Sequence, residues 1–196
     1  MNQVSTKPIL LTDPLDTIVK GCRENDLQCQ EQLYRHCYPE LISICCRYGG
    51  DMDRAGIIFN NAMLRVFKSI HNYREEGKLM GWIKTIVVNC SLDFVKQQNK
   101  FKEIPVASFH ENEINIPTEV FSRVSARDIQ KMILDLPKAT ATVFNLYIYE
   151  GFTHKQIAQG LGISEGTSKW HINEGRKLLK TKLENFNNPR IQNNAS

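Results

Sequence analysis

The fold is decided by the stretch Thr153–Ile172, whose sequence is THKQIAQGLGISEGTSKWHI. Thr153 can cap a helix, because its side-chain oxygen can accept a hydrogen bond from a backbone N–H group of the first turn. The small side chain of Ala158 lets a second helix cross closely, and Gly162 permits a tight turn between the two. The apolar residues that anchor the pair are Ile157, Leu161, Ile172 and Leu179. With Ser164 as the cap of the second helix, the spacing predicts two helices joined by a tight turn.

Two helices joined in this way form a helix-turn-helix, a motif whose second helix enters the major groove of DNA. Backbone N–H groups near Ser164, at the start of that helix, can also hold a phosphate. An ordinary helical hairpin without DNA contact is the alternative, and the spacing of Ala158, Gly162 and Ser164 disfavours it. The residues predicted to contact DNA from the second helix are Ser164, Glu165, Thr167, Lys169, Trp170, Asn173, Arg176 and Lys177.

The composition is that of an ordinary globular protein. The chain has 196 residues, of which 41% are apolar, so it can bury the core of one medium domain or of two small ones. Its 25 basic and 21 acidic residues give a net charge of +4, which favours nucleic acid only weakly. No apolar run approaches the roughly 18–20 residues that cross a bilayer, and the N-terminus does not resemble a secretory signal. We therefore expect a cytoplasmic protein.

Apolar residues recur at helical spacing along the rest of the chain, and no segment alternates as a β-strand does. Three apolar stripes predict a first helical domain over residues 15–99, and Pro39 is expected to break the first stripe into two helices. The polar loop His71–Lys78 separates the second stripe from the third. The stripes are Leu33, Cys37, Leu41, Ile44 and Tyr48; Ala55, Ile58, Phe59, Ala62, Met63, Val66, Phe67 and Ile70; and Leu79, Trp82, Ile83, Ile86, Val87, Cys90 and Phe94.

Residues 100–126 change character, because prolines, serines and asparagines replace the helical periodicity. This composition predicts a flexible linker. Helical patterning then resumes, so we predict a second helical domain over residues 127–186 that contains the helix-turn-helix. An N-terminal tail over residues 1–14 and a disordered tail over residues 187–196 complete the chain. The expected fold class is all-α, with two small helical domains joined by a flexible linker.

The six cysteines do not form a C-x-x-C pair. Cys29, Cys37 and Cys45 recur every eight residues, which places them on one face of a helix. Reduced thiols in a protein core are the favoured interpretation. A metal or redox site that uses His36 with Cys37 is the alternative. We expect the chain to hold no metal and no cofactor.

Short motifs in both predicted domains resemble those of the sigma-70 family, and of its small extracytoplasmic-function group in particular. The second domain is similar to region 4 of that family, and the first is similar to region 2. The region 4 motifs are Leu136-Pro137, Val143–Tyr147, Glu150-Gly151, Gln156–Ala158, Leu161–Ser164 and Gly166–Lys169. The region 2 motifs are Leu33-Tyr34, Arg47-Tyr48, Ala55, Arg65–Phe67, Gly81–Ile83, Ile86–Asn89 and Asp93. Two matches in this order, joined by a linker of this length, are far more specific than a helix-turn-helix alone.

The resemblance implies a transcription initiation subunit that binds core RNA polymerase and directs it to promoter DNA. The polymerase supplies the chemistry, so the chain itself is not expected to be an enzyme. The second domain would read the −35 element and touch the β flap. The first domain would bind the clamp helices of the β′ subunit, melt the −10 element and capture a flipped base in the loop His71–Lys78. An anti-sigma factor would be a further partner.

Two sets of residues in the first domain carry these expectations. The predicted −10 contacts are Asn72, Tyr73, Arg74, Lys78, Lys84, Asn89 and Lys96. The predicted core polymerase contacts are Asp53, Arg54, Ile57, Asn60, Asn61 and Arg65. For any one of these residues, a purely solvated position on a helix surface is the alternative.

The chain departs from the family pattern at several charged positions. Ile57 and Asn61 stand where relatives carry acidic residues that pair with basic clamp groups, which weakens the charge-assisted part of core binding. Glu174 lies on the DNA-reading helix, where a carboxylate repels phosphate unless it reads a cytosine amino group. Residues 127–186 hold nine basic and six acidic groups, a net charge of +3, so few phosphates can be neutralised.

We therefore hypothesise weak autonomous promoter recognition and reliance on a separate DNA-targeting or nucleic-acid-guided partner, with Trp170 as an anchor for it. A different −35 sequence is the simpler alternative. Two other functions stay open: a sigma-derived DNA-binding regulator that does not engage core polymerase, and a protein that only binds anti-sigma factors. Neither of these would support initiation.

Overall fold

The computed structural model describes residues 15–74, 78–98 and 124–187, and all regular structure in these ranges is helical. The helices are α1 Leu15–Arg23, α2 Leu27–Gly49, α3 Met52–Ser69, a short 3₁₀ helix Ile70–Asn72, α4 Leu79–Gln98, α5 Ala126–Leu134, α6 Lys138–Ile148, α7 His154–Leu161 and α8 Glu165–Asn187. By its internal contacts the chain divides into two compact units between Phe94 and Val95, inside α4. The prediction of an all-α fold is confirmed.

The predicted tails and most of the predicted linker lie outside the described residues, as do residues 75–77 of the loop before α4. The end of the linker is described, and there Ser125 caps α5 by accepting a hydrogen bond from the N–H of Asp128 at 3.2 Å. Helix α5 begins one residue before the predicted start of the second domain. The domain boundaries themselves stay predictions.

The expected break at Pro39 is wrong, because α2 continues through it from Leu27 to Gly49. A proline inside a helix removes one backbone hydrogen bond and costs about 3 kcal/mol. Leu33 and Leu41, on either side of Pro39, are completely buried, and each contributes about 2 kcal/mol through that burial. Pro39 itself is exposed, so its ring does not disturb the packed face. Packing therefore outweighs the local penalty.

Acidic side chains start α2 and α3. Asp26 Oδ1 accepts hydrogen bonds from the N–H groups of Gln28 and Cys29 at 2.7 and 3.0 Å. Asp51 Oδ1 accepts one from the N–H of Arg54 at 2.8 Å. Gly50, with φ of +86°, closes α2 in the left-handed conformation that glycine adopts without strain. The turn between α2 and α3 is therefore only two residues long, and the two helices pack against each other.

The core of the first unit lies between α2, α3 and α4. Phe59 is completely buried, and its ring meets Tyr34 and Tyr38 edge-on with centroid distances of 4.9 and 5.3 Å. Ile58 and Ile83 are buried beside it in sequence-predicted stripes. The three stripes face the core as predicted, with four half-buried members at their edges. These are Phe67, Trp82, Ile86 and Phe94.

The second unit contains the helix-turn-helix, with α6 and α7 packed against α8. Thr153 starts α7 with a reciprocal cap: its Oγ1 accepts from the N–H of Gln156 at 3.2 Å, and its own N–H donates to Gln156 Oε1 at 2.9 Å. Gly162 has φ of +70°, and Ser164 Oγ accepts from the N–H of Thr167 at 3.0 Å. The predicted roles of Thr153, Gly162 and Ser164 are therefore confirmed.

Helices α6 and α8 are in close contact at Gly175. A Cβ atom added there would lie 2.8 Å from Cδ2 of Phe144 and 3.3 Å from Cγ2 of Thr140. Phe144 and Thr140 are both buried, so neither can move aside into solvent. Gly56 in α3 offers the opposite situation, because a Cβ there would meet nothing within 4 Å.

We expect Gly175→Ala to lower the free energy of unfolding of the second unit by about 1–3 kcal/mol, because the added methyl group overpacks the α6–α8 contact. Gly56→Ala should instead raise the stability of the first unit by about 1 kcal/mol through helix propensity alone. The two tryptophans separate the readouts in urea unfolding, since Trp82 lies in the first unit and Trp170 in the second. A stabilised Gly175→Ala variant would contradict the close packing.

Candidate nucleic-acid interface

The first turn of α8 is organised by two hydroxyl groups. Ser164 Oγ accepts from the N–H of Thr167, and the hydroxyls of Ser164 and Thr167 lie 2.9 Å apart. Thr167 is completely buried by this arrangement. The prediction that Thr167 is exposed toward DNA is therefore wrong, because its side chain lies under the turn and completes the cap instead of facing outward.

The other residues predicted on α8 retain access to solvent. Glu165, Lys169, Asn173 and Arg176 recur at helical spacing and form one outward stripe. Glu165 and Lys169 are exposed along with Lys177, while Asn173 and Arg176 are half-buried. Ser164 and Trp170 are half-buried as well. The opposite face of α8 is fully covered, with Thr167, Ser168, His171, Ile172 and Gly175 all buried.

A polar cluster ties the start of α7 to this covered face of α8. The Nδ1 atom of His154 lies 2.9 Å from Oγ of Ser168, which is completely buried. The ring of Tyr147 in α6 stacks on the His154 ring with a centroid distance of 4.7 Å and an interplanar angle of 21°. The three side chains come from three helices, so together they fix the orientation of α8 within its own unit.

His171 provides a second polar tie. Its Nδ1 atom lies 3.0 Å from Oγ1 of Thr140 in α6, and only 5% of the residue is exposed. Burial lowers the pKa of His171 to about 4, so the imidazole is neutral at physiological pH. The ring of Trp170 meets it edge-on, with a centroid distance of 4.9 Å. Trp170 is therefore partly engaged in packing within the unit.

The described residues before α4 and along it present a mixed polar surface. Asn72, Arg74 and Lys78 are exposed, and Tyr73 is half-buried with its ring centroid 5.4 Å from that of Trp82. Farther along α4, Asn89 and Lys96 are exposed and Lys84 is half-buried. The structure thus leaves each predicted −10 residue at least partly accessible.

The side chain of Arg23, at the end of α1, reaches this same region. Its Nη2 donates to the carbonyl oxygen of Tyr73 at 2.7 Å, and its Nε donates to that of Ile70 at 3.5 Å. Sequence reasoning missed Arg23, because it lies about fifty residues away from its partners and no motif marks it.

All six predicted core polymerase residues lie on α3 and all are exposed: Asp53, Arg54, Ile57, Asn60, Asn61 and Arg65. The exposed fractions of Ile57 and Leu64 are 52% and 57%, and these two residues are seven apart, on the same helix face. The sequence analysis did not single out Leu64. Ile57, Asn60, Asn61 and Leu64 together form what we call the α3 stripe.

Acidic neighbours engage both arginines of α3. Arg65 Nη1 lies 2.7 Å from Oδ2 of Asp93 in α4, and Arg54 Nε lies 3.4 Å from Oδ2 of Asp51. Asn60 Oδ1 accepts a hydrogen bond from the hydroxyl of Tyr34 at 2.8 Å. The α3 stripe itself carries no charged side chain, and the neighbouring Arg54 and Arg65 are each paired with an aspartate.

The cysteines carry free thiols throughout. Burial raises the pKa of Cys37 to about 12, which keeps its thiol protonated and disfavours the redox or metal alternative with His36. Within the described ranges, no group of three or more His, Cys, Asp or Glu side chains is arranged to hold a metal ion. The helices in those ranges also include none that is both long and apolar enough for a membrane span.

Both units of the chain match the sequence patterns of known protein families. The sequence pattern of Sigma-70 region 2 matches residues 33–101, and that of Sigma-70, region 4 matches residues 126–179. The first match begins within α2 and runs past the end of α4, and the second runs from α5 through most of α8. The chain therefore belongs to the sigma-70 family of RNA polymerase sigma factors, in its extracytoplasmic-function (ECF) group.

Curated relatives carry the same group name. The chain is 26% identical to ECF RNA polymerase sigma factor SigE of Mycolicibacterium smegmatis over 158 residues, which are 78% of this chain and 61% of SigE, less than two thirds of that protein. It is 25% identical to ECF RNA polymerase sigma factor SigW of Bacillus subtilis over 158 residues, or 75% and 84% of the two chains. A solved complex of the sigma factor RpoE with the anti-sigma factor NepR from Bartonella quintana gives a TM-score of 0.47 at 15% identity, covering 79% of this chain and 96% of that one.

The buried imidazole of His171 predicts a pH dependence of stability. An unfolded histidine titrates near 6.5, so between pH 6.5 and about 4 the unfolded chain binds a proton that the folded unit does not. The stability contributed by neutral His171 is complete above this window and falls by about 3 kcal/mol as the pH drops through it.

Urea unfolding followed by Trp170 fluorescence, in a chain that carries Trp82→Phe, measures this effect. His171→Gln removes the titrating group, so the variant should lose less stability than the parent between pH 6.5 and 4.5. Carboxylates contribute equally to both proteins and cancel in the difference. Identical slopes for the two would contradict the assigned protonation state.

Proposed function

We propose that this chain binds core RNA polymerase through the α3 stripe and directs it to promoters. The observation that carries the proposal is the presence of a region 2 unit and a region 4 unit in the order of the family, the second with a capped DNA-reading helix. In this proposal α8 reads the −35 element and the residues around Asn72 contact the −10 element. The protein works in the cytoplasm as a regulatory subunit, and the polymerase performs the chemistry.

The outward stripe of α8 supports the contact with the −35 element. Lys169 and Arg176 supply cations and hydrogen-bond donors for bases or phosphates, and Asn173 can donate to and accept from a base edge. Glu165 and Glu174 oppose them, so the helix offers few net positive charges to the DNA backbone. The protein therefore relies on core polymerase for most of its affinity at the promoter, and its own contacts select the promoter sequence.

The α3 stripe supports a mode of core binding that depends mainly on apolar contact. Ile57 and Leu64 are more than half exposed, and between them lie the neutral amides of Asn60 and Asn61. Burying two such aliphatic side chains against a helix contributes about 2–4 kcal/mol. Because the stripe carries no charge, this association is less sensitive to salt than one built on ion pairs.

The exposed surfaces of the two units also bear on which further partners we propose. A separate DNA-targeting or nucleic-acid-guided protein would compensate for weak promoter contacts, and an anti-sigma factor would compete for the exposed faces of either unit. Trp170 is half-buried against His171, so only part of its ring is available as an anchor for such a protein. This partner dependence is the second element of the proposal.

Run-off transcription with core polymerase from the organism that carries this gene tests both elements. Transcripts from specific start sites with the chain alone support an autonomous sigma factor. Transcripts that appear only when neighbouring gene products are added support partner dependence. Specific DNA binding without any core complex would instead identify a DNA-binding regulator, and binding to an anti-sigma factor alone would identify a titrating protein.

For the −35 contact, we expect Lys169→Ala to weaken promoter binding by the holoenzyme and to reduce the slope of log affinity against log salt by about one unit, because one phosphate contact is lost. Glu174→Gln is the matched change of opposite sign, since it removes a repulsive carboxylate and should strengthen binding to non-specific DNA. Fluorescence anisotropy over a salt series measures both. An unchanged affinity and slope in Lys169→Ala would show that this face of α8 does not dock on DNA.

For core binding, we expect Leu64→Ala to weaken the complex with core polymerase about tenfold, because it removes an aliphatic side chain from the interface. Leu27→Ala is the control, since Leu27 is 78% exposed at the start of α2 and lies outside the α3 stripe. Biolayer interferometry of immobilised chain with core polymerase gives both dissociation constants. Equal affinities for the two variants would exclude the α3 stripe from the interface.

The charge pattern of the interface can be tested by reversing one departure from the family. Asn61→Glu should strengthen core binding at low salt, and this gain should disappear above about 0.5 M salt as the ion pair is screened. The parent complex should change much less over the same range. A parent complex as salt-sensitive as the variant would contradict the apolar mode.

A further inference from the structure

We infer that Arg23 is a positioning residue for the segment that contacts the −10 element. Its guanidinium holds the backbone of Ile70 and Tyr73, and thereby sets where Asn72, Tyr73 and Arg74 are presented. The inference rests on the proposed function for its consequence at promoters, whereas the positioning itself belongs to the free protein and can be measured there.

The two hydrogen bonds of Arg23 bracket the 3₁₀ helix Ile70–Asn72. Nη2 donates to the carbonyl of Tyr73 at 2.7 Å, and Nε donates to the carbonyl of Ile70 at 3.5 Å. The Ile70 carbonyl also accepts a hydrogen bond from the N–H of Tyr73 at 3.2 Å, so this oxygen is shared by the Arg23 side chain and the Tyr73 backbone. Because the guanidinium is planar, its donors keep a fixed relation and fix the spacing of the two carbonyls.

A cation suits this position electrostatically. Helix α3 runs into the 3₁₀ helix, and the last carbonyl groups of such a run lack partners within the helix and carry partial negative charge. A guanidinium satisfies two acceptors there and neutralises the local charge. Charge-assisted hydrogen bonds of this kind contribute more than neutral ones, so their loss should be measurable.

Arg23 is presented from a rigid support. Val19 and Cys22 of α1 are buried, and the N–H of Asp26 donates to the carbonyl of Gly21 at 2.9 Å in the turn to α2. A Cβ at Gly21 would lie 2.8 Å from Cβ of Cys29, so α1 and α2 are in close contact beside Arg23. The guanidinium therefore connects the α1–α2 hairpin to the segment before α4.

The side chain of Tyr73 is held in place as well as its backbone. The ring packs against Trp82, whereas Asn72 and Arg74 on either side remain exposed. Arg23 and Trp82 thus fix the middle residue of a three-residue segment and leave its neighbours available to a nucleic acid. Such preorganisation spares the holoenzyme the entropy of ordering these residues when a base is captured.

The positioning is tested first in the free protein by NMR hydrogen exchange. Arg23→Gln should speed exchange of the Tyr73 amide at least tenfold and alter Trp82 fluorescence in a Trp170→Phe background. Arg23→Lys keeps the charge but donates from a single nitrogen. Its Tyr73 exchange rate and Trp82 fluorescence should therefore lie between those of Arg23→Gln and the parent. Lys20→Gln removes an exposed cation from the same helix and should change neither readout. Unaltered exchange in Arg23→Gln would overturn the inference.

The consequence is tested at a promoter that the run-off assay identifies. Arg23→Gln should reduce permanganate-detected opening of the −10 region about tenfold, with Arg23→Lys intermediate and core affinity within twofold of the parent. Equal opening by Arg23→Gln and the parent would overturn the inference and leave the proposed function intact. A parallel fall in core affinity and opening would also overturn it, because that pattern marks a general folding defect. If the parent chain opens no promoter, the proposed function fails while the exchange result still decides the positioning.

Discussion

The packing of α8 against α6 and α7 is the contact on which the surface that we propose to read DNA depends. It is tight at Gly175, where any side chain would strike Phe144, and it buries hydroxyl and imidazole groups that need defined partners. The hydrogen bonds between His154 and Ser168 and between His171 and Thr140 satisfy those groups. A rotated or shifted α8 would leave them unpaired, at about 1–3 kcal/mol for each group. The outward stripe is thus fixed by what lies beneath it.

In the first unit, ion pairs determine the character of the exposed face of α3. Its arginines on α3 are engaged by Asp51 and Asp93, so the face left between them is neutral and partly apolar. The small net charge of the whole chain agrees with this arrangement, because few cations remain for long-range attraction to DNA. In the function that we propose, affinity would come mainly from surface buried on core polymerase, and selection of the promoter would come from a small number of polar residues on α8 and near Asn72.

Local features of this fold could be predicted from the sequence, because their partners lie within a few residues. The caps at Thr153 and Ser164 and the turn at Gly162 each depend on neighbours no more than five positions away. Pro39 was predicted wrongly because burial elsewhere along α2 outweighs its penalty. Arg23 and His171 act across 31 to 50 residues, a distance at which periodicity gives no information. The exposure of Thr167 was predicted wrongly for a local reason: its hydroxyl lies 2.9 Å from that of Ser164, and its side chain is buried under the turn.

The two segments that we propose to contact DNA share a design that follows from these bonds. Each exposes polar side chains, and each is tied to another element by a hydrogen bond: the segment at Tyr73 is bonded to Arg23, and α8 is bonded at Ser168 to His154. Apolar packing alone could hold such segments as strongly, but it tolerates small shifts that hydrogen bonds do not. A one-ångström shift would misplace a base contact while costing little packing energy. The polar ties therefore serve geometry more than stability, and variants of Arg23 should impair promoter opening before they impair folding.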